Sequence, residues 1–170
     1  MNNKNGDESG VAEIRGGFFV KLLSSFFFSG YLPKAPGTWA SGITTVILFF
    51  IWPKYWHLQF LITLVVYLIG VEISTRAERY YGHDSRHIVI DEVAGQMTAL
   101  FMVPRMVIPF VIAFVLFRLF DIVKPPPARA WESLRAGYGV MSDDVAAGFY
   151  AAVLTHFLLA LLNKWGVSYI

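Results

Sequence analysis

The chain has 170 residues, of which 56% are hydrophobic and only 15% are charged, and its mean hydropathy is +0.54. Soluble globular domains carry about 25% charged residues, so this composition predicts an integral membrane protein. The formal net charge of +2 does not indicate a nucleic-acid partner, and the absence of cysteine excludes disulfides, thiolate metal sites and cysteine-based phosphatases or proteases.

The first 30 residues divide into a polar tail and an amphipathic stretch. Residues 1–15 are predicted to be a mobile tail, because they lack the apolar surface needed to form a core. Residues 16–170 are predicted to form a single membrane-embedded helical domain. Within 16–30, Phe18, Leu22 and Phe26 recur at helical spacing and Lys21 lies on the other side, which favours a helix in the membrane interface. A signal peptide is the alternative, but Lys21 interrupts the apolar run and no cleavage site follows.

Five hydrophobic segments follow, at residues 39–52, 58–71, 93–103, 106–117 and 145–162. Together with the N-terminal helix they predict an all-α membrane bundle of about five short helices. Several are shorter than the roughly 20 residues of a full span. The third is the weakest candidate, and it is predicted to be re-entrant or partly buried. The short connections at 53–55 and 104–105 predict antiparallel hairpins.

Basic residues are distributed unevenly over the two sides that these segments define. If each segment crosses the membrane once, eleven of the 14 lysines and arginines lie on one side, which the positive-inside rule places in the cytoplasm. The chain is therefore predicted to be a multi-pass membrane protein. Aromatic residues on the far side form a predicted interfacial belt: Trp52, Tyr55, Trp56, Trp165 and Tyr169.

Acidic residues accompany three of the segments. Asp91 and Glu92 begin the third, Asp121 ends the fourth, and Asp143 and Asp144 begin the fifth. An odd number of crossings brings all of them to the same rim. Carboxylates that close together repel one another unless a cation lies among them, and a ligand set of oxygen atoms alone suits Mg²⁺ or Mn²⁺.

Some of these acids have a structural alternative. Ser142 is a predicted N-cap, and Asp143 and Asp144 next to it would then stabilise a helix N-terminus. The same alternative applies to Asp91 and Glu92. Asp121 is harder to explain in this way, because a carboxylate near a helix C-terminus faces the unfavourable end of the helix dipole. It needs a partner, which is Lys124, Arg118 or a metal.

Other residues are candidates for holding a phosphate. Lys124 follows Asp121 by one turn, and both Lys124 and Arg118 supply positive charge unless they are only snorkelling anchors. Gly37 and Thr38 lie at the start of the first segment, where free N–H groups and a hydroxyl bind anions. His83 is a candidate from the loop before the third segment, although exposed loop histidines are more often inert.

The motifs APGTWAS, HDSRHIVIDEVAGQ, FDIVKPPPARAWE and GYGVMSDDVAAG, in this order, resemble the phosphatidylglycerophosphatase A family over nearly the whole chain after residue 30. The resemblance implies a small helical enzyme of the bacterial cytoplasmic membrane that uses Mg²⁺ to remove the terminal phosphate of phosphatidylglycerophosphate. It also implies an acidic metal site, with Gly37, Thr38 and His83 matching further family elements. The implied metal site consists of Asp91, Glu92, Asp121, Asp143 and Asp144, with Lys124 beside it.

The predicted catalytic residues are Asp91, Asp121, Lys124 and Asp144. A metal-activated water with Asp91 or Asp144 as general base is favoured over a covalent intermediate on Thr38, His83 or an aspartate. Two alternative functions are a cation transporter or channel and a non-catalytic lipid-binding protein. Transporters usually place their sites near the bilayer midplane and show repeats, whereas here the acids are predicted at one rim and no repeat is visible.

Overall fold

A computed structural model describes residues 17–82, 85–126, 131 and 137–166. Residues 17–24 are helical, and a 3₁₀ turn at Ser29–Tyr31 precedes five α-helices. These are α1 (Pro36–Ile51), α2 (Trp56–Tyr81), α3 (Ile90–Ala99), α4 (Val107–Val123) and α5 (Gly137–Lys164). The described residues contain no strand, and the predicted all-α class is confirmed. The predicted tail, residues 1–15, lies outside the described residues.

Local signals set some of the helix ends and fail at one. Pro36 is the first residue of α1, where its fixed φ suits a helix start. Lys124 adopts a left-handed conformation (φ 46°) directly after α4, before the proline run. The prediction that Ser142 caps the last helix is wrong, because α5 begins at Gly137. Asp143 and Asp144 therefore lie inside the helix and do not cap it.

Helix α3 is the centre of the bundle and contacts the other four helices. Its ten residues extend only about 15 Å, which is half the thickness of a bilayer core. Val93, Ala94, Gln96 and Met97 are all buried, so the helix agrees with the prediction of a partly buried third segment. The predicted hairpin of α1 and α2 is not a closely packed pair, because α1 packs mainly against α3 and α2 packs against α5 and α3.

Glycines allow the backbones of α3 and α5 to touch. A Cβ atom on Gly148 would lie 2.2 Å from the carbonyl oxygen of Gly95, and one on Gly95 would lie 2.7 Å from the carbonyl oxygen of Asp144. Distances below about 3 Å between such atoms are steric clashes, so neither position accepts a side chain without a shift of a helix. The contact brings the acidic turn of α5 beside the start of α3.

Contacts between helices define two ends of the bundle. Gly37 of α1 meets Glu92 of α3, and Lys124 after α4 meets Asp143 of α5. The start of α1 and of α3, the end of α2 and of α4, and the first turns of α5 therefore share one end, which we name the acidic end. At the opposite end, the Trp52 indole N–H donates to the carbonyl oxygen of Leu100 (3.2 Å).

The surface of the bundle is strongly apolar. Helices α2 and α5 are long and apolar enough to cross a membrane by length and composition, and Phe50, Ile122 and Phe149 are among the many large apolar side chains that are exposed. The protein is membrane-associated on this basis. The predicted aromatic belt is wrong for Trp52, because this residue is only 3% exposed and its indole packs in the core. Tyr169 lies outside the described residues.

The N-terminal helix at 17–24 exposes its apolar side. Phe18, Phe19 and Leu23 are exposed, whereas Ser24 and Ser25 are completely buried against the bundle. The Ser25 hydroxyl donates to the carbonyl oxygen of Lys21 (2.6 Å), so the buried serine is satisfied within the helix. This distribution is typical of a helix that lies at a membrane surface.

Candidate active site

Three carboxylates converge at the acidic end. Asp91 and Glu92 come from the first turn of α3, and Asp144 comes from the second turn of α5. Each contributes an oxygen atom, and these three atoms lie within 4.8 Å of one another. Asp144 is only 3% exposed. We name Asp91, Glu92 and Asp144 the three-acid cluster.

The cluster keeps unsatisfied oxygen atoms. Oδ1 of Asp91, Oε2 of Glu92 and Oδ2 of Asp144 are buried, and none has a hydrogen-bond partner in the described part of the chain. An unpaired buried carboxylate oxygen costs free energy unless a cation or donor meets it. The donor set consists of oxygen atoms alone, which fits Mg²⁺ or Mn²⁺ better than a metal that prefers sulfur or nitrogen.

Burial also changes the proton affinity of the cluster. Asp91 lies at the start of α3, outside the two helices long enough to cross a membrane. Burial raises the pKa of Asp91 well above its usual value, and the neighbouring Glu92 carboxyl raises that pKa further. A divalent cation would oppose this effect by favouring the charged carboxylate.

Gly37 is the point where α1 contacts the cluster. A Cβ atom there would lie 1.9 Å from Oε1 of Glu92, so only a glycine leaves room for this carboxyl group. The backbone N–H of Thr38 donates to the carbonyl oxygen of Ala35 (3.0 Å). The prediction of free N–H groups for a phosphate is therefore wrong for Thr38, and the Glu92 carboxyl group lies against the start of α1.

The other two predicted ligands, Asp121 and Asp143, each form an ion pair with a basic side chain. Lys124 Nζ lies 2.7 Å from Oδ2 of Asp143, and Arg118 Nη1 lies 2.9 Å from Oδ2 of Asp121. Oδ1 of Asp143 also accepts from the backbone N–H of Asp144 (3.0 Å). Asp121 remains close enough to Asp144 for their carboxyl groups to hydrogen bond. Asp121 and Asp143 thus position the basic side chains around the three-acid cluster.

Arg118 is held from two sides. Its Nη1 donates to Oγ of Ser41 (3.3 Å) as well as to Asp121, and the Ser41 hydroxyl donates to the carbonyl oxygen of Gly37 (2.7 Å). The Nε atom of Arg118 is buried and has no hydrogen-bond partner among the described residues. The guanidinium therefore keeps a donor for an anion.

Two residues near the cluster were not identified from the sequence. Ser41 supports Arg118, and its position four residues after Gly37 places both on one face of α1. Gln96 follows Glu92 by four residues on α3 and is completely buried, and neither polar atom of its amide has a partner in the described part of the chain. The available sequence signal for both Ser41 and Gln96 was the presence of a polar residue within an apolar segment. His83, the predicted loop candidate, lies outside the described residues.

Comparison with known proteins identifies a family for this chain. The sequence profile of the phosphatidylglycerophosphatase A family matches residues 22–159. The chain is 37% identical to Phosphatidylglycerophosphatase A of Haemophilus influenzae over 139 residues, which is 79% of this chain and 85% of the relative. It is 33% identical to Phosphatidylglycerophosphatase A of Escherichia coli over 140 residues, 81% of each chain.

A third relative bears a different name. The chain is 35% identical over 163 residues, 91% of its length and 99% of the relative, to a protein of Bacteroides thetaiotaomicron provisionally named phosphatidylinositol-3-phosphatase. No solved structure matches the chain. The family match covers most of the chain and includes every residue of the three-acid cluster. The chain therefore belongs to the phosphatidylglycerophosphatase A family and is a phosphatase.

Proposed function

We propose that this protein hydrolyses the terminal phosphate monoester of phosphatidylglycerophosphate in an Mg²⁺-dependent reaction and releases phosphatidylglycerol. The observation that carries the proposal is the three-acid cluster, whose buried oxygens lack partners, with two basic side chains held next to it. A phosphate monoester with a divalent cation complements this combination of charges. Family membership favours this function over the transporter and the non-catalytic alternatives.

Asp91, Glu92 and Asp144 would hold the metal ion, which supplies positive charge to polarise phosphate oxygens. Lys124 and Arg118 bind the remaining phosphate oxygens. Lys124 is suited to this role because its side chain is 28% exposed while its ion pair with Asp143 fixes its direction. Positive charge placed in advance around a developing anion lowers the barrier without reorganisation during the reaction.

The reaction needs a proton acceptor for the attacking water. A carboxylate of Asp91 or Asp144 takes this proton while the water oxygen forms a bond to phosphorus. The bond from phosphorus to the glycerol oxygen breaks, and the leaving oxygen takes a proton from solvent. The products are inorganic phosphate and a lipid that carries a free hydroxyl.

We also propose that the acidic end faces the cytoplasm in a multi-pass protein. The described basic residues support this orientation through the positive-inside rule. Those at the acidic end are Lys21, Lys34, Arg76, Arg79, Arg86, Arg118 and Lys124, and those at the opposite end are Lys54, Arg105 and Lys164. The exposed apolar side of the N-terminal helix lies at the acidic end as well, because Gly17 contacts Tyr80 near the end of α2.

The test is phosphate release by the purified protein in mixed micelles. We expect release from phosphatidylglycerophosphate with Mg²⁺, its loss in EDTA, and its recovery with Mg²⁺ or Mn²⁺. Phosphatidylinositol 3-phosphate is the comparison substrate, because one relative is named a phosphatidylinositol-3-phosphatase. Faster release from the inositol lipid would change the substrate assignment, and release that is unaffected by EDTA would contradict the metal site.

A further inference from the structure

We infer that a groove between α2 and α5 binds one acyl chain of the lipid substrate, with the ester end of the chain toward the acidic end. This inference rests on the proposed function, since it locates the part of the substrate that the three-acid cluster does not contact. The groove has a volume of about 560 Å³ and is lined by apolar side chains almost throughout. A cavity of this character, open to the bilayer, fits a hydrocarbon chain.

The groove exists because the two long helices touch at only one end. At the acidic end a Cβ atom on Gly137 would lie 2.2 Å from the carbonyl oxygen of Val71, so the backbones of α5 and α2 are in contact. Farther along, the facing residues are large, as with Leu64 on α2 and Phe149 on α5. Helix α3 ends at Ala99 and is too short to fill the space that opens between them.

The walls follow helical spacing on both sides. Phe60, Leu64 and Tyr67 form a stripe on α2, and Val145 and Phe149 begin the matching stripe on α5. Leu64 is 39% exposed and Phe149 is 61% exposed. The groove therefore has an open side toward the surface that faces lipid, and a chain can enter laterally from the bilayer.

The groove begins next to the three-acid cluster. Val145, which lines the groove, directly follows Asp144. The hydroxyl of Tyr67, also in the lining, hydrogen bonds to Oγ of Ser142 (2.8 Å). An acyl chain in the groove would thus place its ester and headgroup at the carboxylates. This proximity along α5 distinguishes the groove from an apolar patch elsewhere on the bundle.

The length of the groove matches one leaflet. From Val145 to His156, the two ends of the lining on α5, the helix rises about 16 Å. Half of a bilayer core is about 15 Å thick. Hydrogen bonds hold the turn that contributes Met102 to the lining. The side-chain oxygen of Gln59 accepts from the backbone N–H of Met102 (2.8 Å), while its amide group donates to the carbonyl oxygen of Pro53 (2.7 Å).

A matched pair of tryptophan substitutions tests the inference by activity. Leu64→Trp narrows the groove, and Leu68→Trp places the same side chain one turn away on an exposed position that does not line it. We expect Leu64→Trp to raise KM for the diacyl substrate about tenfold, because several methylene groups lose their contacts. Leu68→Trp should leave KM unchanged, and neither variant should alter hydrolysis of the deacylated headgroup. Equal KM values for the two variants would overturn the inference.

A binding measurement separates the inference from the proposed function. Phosphatidylglycerophosphate with a photoactivatable group midway along one acyl chain is expected to label α2 and α5 within the groove. The same lipid without its terminal phosphate should label the groove less. If this labelling pattern is found in a protein that releases no phosphate, the acyl-chain groove is supported and the proposed function is contradicted. If an active protein is labelled uniformly on all its exposed apolar surfaces, the acyl-chain groove is contradicted and the proposed function is supported.

A second copy of the chain is the competing occupant. Because the natural chain has no cysteine, the variant Val153→Cys carries a single thiol, at an exposed groove position. A disulfide-linked dimer formed through Cys at this position, together with an unlabelled groove, would assign the groove to a second copy and overturn the inference. A monomer with a labelled groove would support the acyl chain.

Discussion

The five acids at the acidic end form two groups that differ in their partners. Asp91, Glu92 and Asp144 approach one another, and each keeps a buried oxygen without a hydrogen-bond partner in the described part of the chain. Asp121 and Asp143 instead accept ion pairs from Arg118 and Lys124. The same residue type therefore has two roles. Where the carboxylates face one another they suit a cation, and where they face a basic side chain they fix its position.

The largest expected effect distinguishes the two groups directly. Asp144→Asn should reduce phosphate release by about 10³-fold, because it removes a proposed ligand and general base at once. The metal-free variant should be more stable than the natural protein, since one charge leaves a buried set of like charges. Phosphate release and thermal unfolding without metal measure the two effects. The opposite result, full activity with lower stability, would show that Asp144 is structural.

Asp143→Asn is the matched control at the adjacent position. It leaves the three-acid cluster intact but removes the Asp143 carboxylate that forms an ion pair with Lys124. We expect a smaller loss of activity than for Asp144→Asn, together with lower stability of the folded protein. If both variants lost activity equally, the division into two groups would be wrong.

Lys124→Met tests the basic side of the site. We expect activity to fall about 10²-fold, the size of effect found when one group that stabilises a developing anion is removed. Stability should fall as well, because the buried Asp143 carboxylate loses its partner. The double variant Lys124→Met with Asp143→Asn should regain stability without regaining activity. Recovery of activity in the double variant would show that Lys124 only neutralises Asp143.

Gly37→Ala tests how closely Glu92 must be held. The added methyl group meets Oε1 of Glu92 at 1.9 Å, whereas the same change at Gly42 meets only the Phe114 ring at 3.9 Å. We expect Gly37→Ala to reduce activity about tenfold by displacing a carboxylate, since misplacement near 1 Å is costly in catalysis. Gly42→Ala should be active. Equal activity of the two variants would show that the position of Glu92 is unimportant.

The smallest expected effect is stabilisation by metal. Mg²⁺ at about 100 times its Kd should stabilise the folded protein by about 2.7 kcal/mol. The corresponding rise in Tm should disappear in Asp91→Asn and persist in Glu72→Gln, whose carboxylate is exposed and pairs with Arg76. Differential scanning calorimetry with Mg²⁺ and with EDTA gives the two Tm values to compare. A rise that persists in Asp91→Asn would place the metal outside the three-acid cluster.

The sequence predicted the helical class, the acidic residues and, as one of three candidates, the Arg118 partner of Asp121. It did not predict that Lys124 pairs with Asp143. All five acids were predicted as ligands because only their presence near helix ends was visible. The convergence of Asp144 on Asp91 and Glu92 depends on the approach of α3 to α5 at Gly95 and Gly148. Contacts between segments distant in the chain cannot be obtained from local spacing.

The incorrect Ser142 cap has a similar origin. Ser142 followed by two aspartates is a good local signal for a helix start. In the structure, the preceding residues are already helical, and they pack on α2 where a Cβ atom on Gly70 would lie 2.4 Å from the Met141 methyl group. Burial of this turn against α2 outweighs the preference for a cap. A tertiary contact also explains why Trp52, which was predicted to lie in the aromatic belt, is buried in the core.

The sequence by itself determined that this is an apolar, helical, membrane-associated protein with acidic residues at the ends of three segments, because composition and helical spacing are local properties of the chain. Its ordered motifs also identified the family. Only the tertiary structure decided which carboxylates face one another, why Gly37 has no side chain, and where a groove remains between α2 and α5. These features depend on the distances between helices, and the distances are set by the close contacts at Gly95, Gly137 and Gly148.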